Sequence, residues 1–201
     1  MKVALTGGIA CGKSLLSKFL NELGVETLDA DDVVHTLLPD PEERRRIAAE
    51  VFADPEKRRA LEAKLHPIVK EKIDEWLDRP SETNRTTGTD VTNGTSACPV
   101  SLGGLVCPVR VAIIPLLFEA HWEKNFDIIC CVASSRESQI ERMTTTRGMT
   151  RAEAEARLAA QMPVEEKARR SHYVIRNDGT ADALRAEAQK LVAWLHEQKS
   201  N

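Results

Sequence analysis

Near its N-terminus the chain reads Thr6-Gly7-Gly8-Ile9-Ala10-Cys11-Gly12-Lys13-Ser14, which matches the pattern G-x-x-x-x-G-K-S/T at every fixed position. In this pattern, glycines let backbone N–H groups close around phosphate oxygens, while a helix N-terminus and the lysine supply positive charge. The sequence therefore predicts a phosphate-binding loop between a strand and a helix. The hydroxyl of Ser14 is the predicted protein ligand of a Mg²⁺ ion.

The alternative is a glycine-rich turn that matches the pattern by accident, and the flanking sequence argues against it. The apolar run Val3-Ala4-Leu5 precedes the loop, and Gly24 lies where a helix terminator belongs. Between them, helical spacing predicts one apolar stripe, formed by Leu15, Leu16, Phe19, Leu20 and Leu23. The strand, loop and helix that the motif requires are all present.

The chain as a whole is typical of one α/β domain spanning residues 1–201. It has 201 residues, 42% of them hydrophobic, and a net charge of −3 that gives no indication of a nucleic-acid or membrane partner. We find no long apolar run and no leader before the first strand, so we expect a cytoplasmic protein. The sequence leaves the oligomeric state open.

The five cysteines show no metal-ligand spacing, and we expect reduced thiols. Cys11 lies in the predicted loop, whereas Cys130 and Cys131 lie in an apolar strand. The sequence assigns no role to Cys98 and Cys107.

Five short apolar runs separated by helical patterns predict a parallel sheet with helices on both faces. The strand candidates are Val3–Leu5, Val25–Leu28, Val111–Ile114, Ile128–Ala133 and Tyr173–Ile175. Helix starts are predicted at Asp40, at Asp54 and, through a capping box with Glu153, at Thr150. The last helix should close the core through Leu184, Ala188, Leu191 and Leu195.

About eighty residues separate the second and third strands, more than one crossover helix needs. We therefore expect a helical lobe at about residues 32–110 that holds a second substrate. Within it, residues 79–110 are rich in Thr, Ser, Asn, Gly and Pro, which predicts a flexible loop or insertion.

Three carboxylates follow the second strand in Asp29-Ala30-Asp31-Asp32, at the sheet edge where open α/β folds bind ligands. One interpretation makes Asp31 the group that orients and deprotonates an acceptor hydroxyl. The other makes Asp29 or Asp31 the N-cap of a helix beginning near Val33. The two roles are compatible, and the sequence leaves both open.

Five motifs in series resemble the dephospho-coenzyme A kinase family. They are TGGIACGKS, DADD, LHP at Leu65–Pro67, IPLLFE at Ile114–Glu119 and VIRNDG at Val174–Gly179. The resemblance implies a P-loop kinase fold with strand order 2-3-1-4-5, a helical acceptor lobe and a helical lid. It also implies transfer of the ATP γ-phosphate to the ribose 3′-hydroxyl of dephospho-coenzyme A, with ATP and Mg²⁺ as cofactors.

The resemblance also implies site residues. ATP would be bound by Gly8, Ala10, Cys11, Gly12, Lys13, Ser14, Leu15, Arg142, Arg147 and Asn177. The acceptor would be bound by Asp29, Asp31, His66, Pro115, Leu116, Leu117 and Glu119. The catalytic residues would be Asp31 as base, Lys13 and Arg142, with Ser14 as the metal ligand.

Several of these residues have purely local alternatives. His66 would mark a helix start before a proline, and residues 115–119 would form an ordinary turn between a strand and a helix. In the predicted lid, at about residues 135–165, Arg142 would belong to a solvated helical face. Asn177 would be a turn residue before Asp178-Gly179.

The chain departs from the family pattern in five places, one of which is Ser171-His172-Tyr173 before the last strand. Ala10 stands where a glycine is common, and Leu15 where a threonine is common. The segment between Asp32 and Val51 is shorter than expected and residues 79–110 are longer. A kinase for another small-molecule or nucleotide hydroxyl, or a nucleotide-dependent switch without catalysis, is therefore the alternative function.

Overall fold

The computed structural model describes residues 1–37, 40, 42–43, 45–47, 54–79 and 109–200. These residues form two compact units, of which the second is Leu28–Arg79 and the first contains the rest. The predicted loop or insertion at residues 79–110 lies almost entirely outside the described residues, as do Cys98 and Cys107. None of the described helices combines the length and apolar character that a membrane crossing requires.

Five strands form one sheet. Its strands are β1 Val3–Gly7, β2 Glu26–Asp29, β3 Arg110–Ile113, β4 Ile128–Ala133 and β5 Tyr173–Arg176. Their order is β2-β3-β1-β4-β5, which confirms the predicted 2-3-1-4-5 arrangement. The pairs of β1 with β3 and with β4, and of β4 with β5, are all parallel. The carboxyl ends of β1, β3, β4 and β5 therefore lie at one edge of the sheet.

Helices cover both faces of the sheet, as predicted. Consecutive residues of a strand point to opposite faces, and Cys130 and Cys131 of β4 belong to different core clusters. Cys130 packs with α1 (Lys13–Glu22) and the last helix, α7 (Ala181–Ser200), whereas Cys131 packs with Ala168 of α6 (Val164–Arg169).

The apolar stripes of α1 and α7 form most of the larger core. The four predicted residues of α7 are at most 1% exposed: Leu184, Ala188, Leu191 and Leu195. In α1, Leu16, Phe19 and Leu20 are buried, but Leu15 is 37% exposed, so its placement in the stripe was wrong. Leu15 is rotated by 100° from Leu16 on the helix, which takes it off the buried face.

The second unit contains α2 (Ala30–Leu37) and α3 (Pro55–Asp78), which pack against each other. Asp54 caps α3 as predicted, because its carboxylate accepts hydrogen bonds from two backbone N–H groups of the first turn. The helix-start interpretation of His66 was wrong, since α3 runs through Pro67 in its interior. Because Pro67 has no backbone N–H, it removes one hydrogen bond from the interior of α3.

The predicted lid region forms two helices, α4 (Arg136–Arg147) and α5 (Arg151–Ala159), followed by α6. Gly148, with a φ of 62°, ends α4 in the left-handed region. The predicted capping box is confirmed, because Thr150 and Glu153 exchange hydrogen bonds at the start of α5. The two helices are thus separated by a short, well-defined connection.

Candidate active site

The phosphate-loop motif forms the connection between β1 and α1. Gly12 is the N-cap of α1 in the left-handed region, with a φ of 93°, and no side chain caps this helix end. The first N–H groups of a helix have no partner within the helix, so this end is suited to an anion. Ala10 also has a positive φ, 57°, which is unfavourable for a residue with a Cβ atom.

Side chains hold the carbonyl groups of the loop. The ammonium of Lys13 donates to the carbonyl oxygens of Gly7 and Gly8 at 3.0 and 2.8 Å. The lysine is therefore anchored across the first half of its own loop. An ammonium in this position keeps positive charge at the place where the motif predicts phosphate.

The next three carbonyl groups accept hydrogen bonds from more distant parts of the chain. Gln139 of α4 donates to the carbonyl oxygen of Ile9 at 2.7 Å, and Arg142 of α4 donates to that of Ala10 at 3.2 Å. The third, that of Cys11, accepts from the amide of Asn177 at 2.9 Å. Five consecutive carbonyl oxygens of the loop are thus paired within the protein, which keeps these negative dipole ends from competing with a phosphate.

Arg142 is the centre of this network and is not part of a solvated face. Its guanidinium also donates to the Ser134 hydroxyl at 3.0 Å and to the carbonyl oxygen of Asn177 at 2.6 Å. Arg147, by contrast, is exposed in the last turn of α4. Five helical residues correspond to a rotation of about 140°, so the two arginines do not share a helix face.

Asn177 contacts the loop directly and is more than a turn residue. Its side chain is 7% exposed, and a Cβ atom at Gly12 would come within 2.2 Å of its Nδ2 atom. This close approach and the positive φ both require glycine at position 12. The carboxylate of the neighbouring Asp178 accepts from the backbone N–H of Ser135, the N-cap of α4, at 2.7 Å.

Cys11 lies under the loop, with its side chain completely buried. Burial raises the pKa of this thiol, and the nearby Lys13 ammonium opposes that shift only in part. The thiol therefore stays protonated, and its sulfur packs as a small apolar group. Only the backbone of Cys11 is therefore available to the predicted phosphate site.

The turn after β3, residues 115–119, is held by hydrogen bonds to its ends. The carbonyl oxygen of Pro115 accepts from the Thr6 hydroxyl at 3.3 Å and from the Lys167 ammonium at 2.8 Å. At the other end, Glu119 lies 2.7 Å from the same ammonium. Leu117 is completely buried, so it fixes the turn from within, whereas Pro115, Leu116 and Glu119 are half-buried.

The remaining predicted acceptor residues belong to the second unit. The carboxylate of Asp29 accepts from the backbone N–H of Asp31 at 3.0 Å, so Asp29 takes the capping position. The helix begins at Ala30, earlier than the predicted start near Val33, and places Asp31 exposed in its first turn. His66 is half-buried in α3.

The predicted metal ligand is the hydroxyl of Ser14, which is exposed in the first turn of α1. Among the described residues, no group of three or more His, Cys, Asp or Glu side chains is placed to hold a metal ion. A hydroxyl oxygen at this helix end fits Mg²⁺, which prefers oxygen ligands and keeps several waters when it binds nucleotides.

Comparison with known proteins identifies the family of this chain. The family model for dephospho-CoA kinase matches residues 1–43 and 103–183. The chain belongs to the dephospho-CoA kinase family. A dephospho-CoA kinase of Synechococcus sp. strain JA-3-3Ab is 35% identical over 209 aligned positions, which cover 94% of this chain and 90% of that relative.

Solved structures share the fold of this chain. The TT1252 protein of Thermus thermophilus is 30% identical, with a TM-score of 0.70 over 97% of both chains. The dephospho-CoA kinase of Campylobacter jejuni is 22% identical and superimposes with a TM-score of 0.66, over 99% of this chain and 100% of its own. The fold predicted from the sequence motifs, that of a P-loop kinase, is confirmed.

The dephospho-CoA kinase family model leaves residues 44–102 unmatched. This interval contains much of the segment where the sequence departs from the family pattern. It belongs to the predicted acceptor lobe, whereas the phosphate loop, the lid helices and the turn at residues 115–119 all lie in matched regions. The matched part therefore contains the nucleotide-binding half of the predicted site.

Sequence reasoning missed two residues of the site in this dephospho-CoA kinase family member, Gln139 and Lys167. Gln139 precedes Arg142 by three positions on α4, which places both on one helix face and was the available signal. Lys167 lies in an ordinary charged helical segment, Val164–Arg169, and no local pattern marks it as buried.

Proposed function

We propose that this protein transfers the γ-phosphate of ATP to the ribose 3′-hydroxyl of dephospho-coenzyme A, giving coenzyme A and ADP. The observation that carries the proposal is the pairing of the carbonyl oxygens from Gly7 to Cys11 with side-chain donors, next to the uncapped start of α1. This arrangement favours a polyphosphate. Membership in the dephospho-CoA kinase family supports ATP as the donor and supports the acceptor.

Lys13 and Arg142 are the proposed cationic groups for phosphoryl transfer. Charge accumulates on the non-bridging oxygens of the transferring group, and fixed cations lower the energy of that arrangement. Of these two residues, Lys13 lies closer to the loop backbone, because its ammonium donates hydrogen bonds to the carbonyl oxygens of Gly7 and Gly8. Arg142 acts on the nucleotide from α4 and also holds Ala10 in place.

Ser14 is the proposed protein ligand for Mg²⁺. When bound there, the ion would supply positive charge that offsets the charge of the nucleotide phosphates. The Ser14 hydroxyl orients the metal–nucleotide complex at the start of α1. Leu15, which follows it, offers only backbone and an exposed apolar side chain.

Asp31 is the proposed base for the acceptor hydroxyl. The exposed carboxylate of Asp31 lies in the first turn of α2. The carboxylate of Asp29 accepts a hydrogen bond from the backbone N–H of Asp31 and so fixes the backbone there. A carboxylate accepts the proton of the attacking hydroxyl as the bond to phosphorus forms. His66 and the turn at residues 115–119 are the proposed acceptor contacts.

The test is an assay of ADP release with purified protein, Mg²⁺ and ATP, coupled to NADH oxidation. Dephospho-coenzyme A, adenosine, AMP and 4′-phosphopantetheine serve as a panel of acceptors. We expect strong stimulation by dephospho-coenzyme A, and a product that comigrates with coenzyme A and not with its 2′-phosphate isomer. The matched control is an acceptor whose ribose 3′-hydroxyl is replaced by hydrogen.

Two results would contradict the proposal in different ways. Stimulation by another acceptor alone would assign a different hydroxyl substrate. The change of substrate would then be attributed to residues 44–102 of the predicted acceptor lobe, which the family model does not match. ATP binding without phosphorylation of any acceptor would indicate a nucleotide-dependent switch.

A further inference from the structure

Gln139 is a polar residue buried at the junction between α4 and the phosphate loop. Its side chain is 3% exposed, and its Nε2 atom donates to the carbonyl oxygen of Ile9 at 2.7 Å. A buried amide of this kind is costly to leave unpaired, so this hydrogen bond constrains both partners.

The loop is shaped around this side chain. A Cβ atom at Gly8 would lie 2.5 Å from the Nε2 atom of Gln139, so only glycine at position 8 admits the amide at its present distance. Ile9 and Ala10 also pack against an apolar cluster that contains Ile140 and Met143 of α4. The loop therefore rests on α4 through both polar and apolar contacts.

We propose that Gln139 is a positioning residue for nucleotide binding, which acts by holding the Ile9 carbonyl in the orientation that the phosphate-binding loop needs. Its effect reaches the phosphate through the loop backbone. The inference rests on the proposed function only in that the loop binds a nucleotide. It does not depend on which acceptor is phosphorylated.

A neutral amide suits position 139, because the Ile9 carbonyl oxygen and the expected phosphates are both negative. A glutamate would present a negative oxygen to the Ile9 carbonyl and would repel the phosphates. A methionine fills a similar volume but donates no hydrogen bond. The comparison of Gln139→Met with Gln139→Glu therefore separates the loss of the donor from the addition of a charge.

The experiment measures the dissociation constant of MgADP by isothermal titration calorimetry, together with the thermal midpoint and the KM for each substrate. For Gln139→Met we expect a dissociation constant raised by about tenfold, the scale of one lost hydrogen bond at a buried acceptor. Gln139→Glu should bind more weakly still. The KM for dephospho-coenzyme A should stay within about twofold of its value in the unsubstituted protein, because the proposed effect of Gln139 is on the loop that binds the nucleotide.

The matched control is Gln189→Met, at an exposed position of α7. It should change neither the dissociation constant nor the thermal midpoint. If Gln139→Met does not fold, Gln139→Asn is the second variant, because it keeps the amide but shortens its reach by one methylene. It should weaken MgADP binding in the same direction.

A lower thermal midpoint with an unchanged dissociation constant for MgADP would overturn the proposal, since that result assigns Gln139 a structural role alone. An equal rise in the KM values of both substrates would overturn it as well. A protein that binds MgADP but does not phosphorylate dephospho-coenzyme A would refute the proposed function, and the comparison of dissociation constants would still decide the role of Gln139.

Discussion

The ammonium of Lys167 is completely buried and lies 2.7 Å from the carboxylate of Glu119. The same ammonium donates to the carbonyl oxygen of Pro115 at 2.8 Å, and the backbone N–H of Met162 donates to Glu119 at 3.0 Å. The second carboxylate oxygen of Glu119 is buried and has no hydrogen-bond partner among the described residues. The ion pair of Lys167 with Glu119 therefore joins α6 to the turn at residues 115–119.

Replacing Lys167 by methionine should destabilise the protein strongly. The substitution keeps the length of the side chain but leaves the Glu119 carboxylate without its cation in a largely buried place. Breaking a buried ion pair from one side costs about 3–5 kcal/mol. Urea denaturation followed by circular dichroism would measure this loss.

Lys190 offers the matched control, because its ion pair with Glu187 lies at the surface and its side chain is 66% exposed. Lys190→Met should lower the free energy of unfolding much less than Lys167→Met, because exposed ion pairs contribute little. The double variant Lys167→Met with Glu119→Leu should regain most of the lost stability, since an apolar pair replaces the buried ions. A loss below about 1 kcal/mol in the single variant Lys167→Met, the range of a surface pair, would show that the pair contributes little.

Replacing Ala10 by glycine should stabilise the loop. Ala10 has a φ of 57°, and a left-handed conformation costs a residue with a Cβ atom about 1–2 kcal/mol. Glycine removes that cost but has more freedom in the unfolded chain, so we expect a net gain of about 0.5–1 kcal/mol. This corresponds to a thermal midpoint about 1–4 °C higher in a chain of this size.

The same substitution at Ala186 should have the opposite sign. Ala186 is exposed in the interior of α7, where glycine is less favourable than alanine by about 1 kcal/mol. If glycine lowered the midpoint at both positions, the left-handed strain at Ala10 would contribute nothing to stability.

Most of the fold was predictable because its signals are local. The strand Ile128–Ala133 was predicted to the residue, since a continuous apolar run in a parallel sheet is buried on both faces. β1 was predicted two residues too short, because Thr6 and Gly7 were assigned to the loop. They extend the strand and pair with Cys131 and Val132 of β4.

The site was predictable only where a motif marks it. The loop at residues 7–14 carries its own pattern, but the partners of the Ile9, Ala10 and Cys11 carbonyl groups lie far away in sequence. Gln139 is separated from Ile9 by 130 positions, and Lys167 from Pro115 by 52. No spacing rule reaches across such distances. Folding brings these pairs together through the parallel sheet and the packing of α4 and α6.

Two buried thiols should make the protein less stable in alkaline solution. Burial raises the pKa of Cys130 and of Cys131 to about 12, above the usual value of 9.0 for a thiol. The unfolded thiols therefore ionise first as the pH rises above 9, while the native thiols stay protonated. The stabilisation is fully present below pH 9 and is lost between pH 9 and 12, at up to about 1.4 kcal/mol per pH unit for each thiol.

Denaturation with urea at several pH values between 8 and 10.5 would measure this slope. A double variant with Cys130→Ala and Cys131→Ala should show a shallower decline, because only the other alkaline groups still titrate. Equal slopes in the two proteins would contradict the thiol explanation. The comparison of slopes is independent of the stability that the smaller side chains lose at neutral pH.

Replacing Lys13 by methionine should weaken both ATP binding and turnover. The ammonium contacts two loop carbonyls and stands beside the proposed phosphate site. Loss of a charge-assisted hydrogen bond corresponds to about a 10- to 100-fold weaker dissociation constant. Calorimetry with MgADP would measure it, with Lys18→Met at an exposed position of α1 as the control. An unchanged dissociation constant would remove Lys13 from the nucleotide site.

Replacing Asp31 by asparagine should lower kcat and leave the dissociation constant of ATP nearly unchanged. The base acts on the acceptor hydroxyl, so its loss affects the chemical step by about 10²- to 10⁴-fold. Asp32→Asn is the matched control, since it removes the same charge from the adjacent exposed position of α2 and should keep kcat. Measured kcat values and a direct ATP titration would distinguish the two variants. A similar loss of kcat in both variants would mean that the negative charge of this helix turn matters, and not a base at Asp31. A loss of ATP affinity in Asp31→Asn as large as its loss of kcat would assign Asp31 to the nucleotide site.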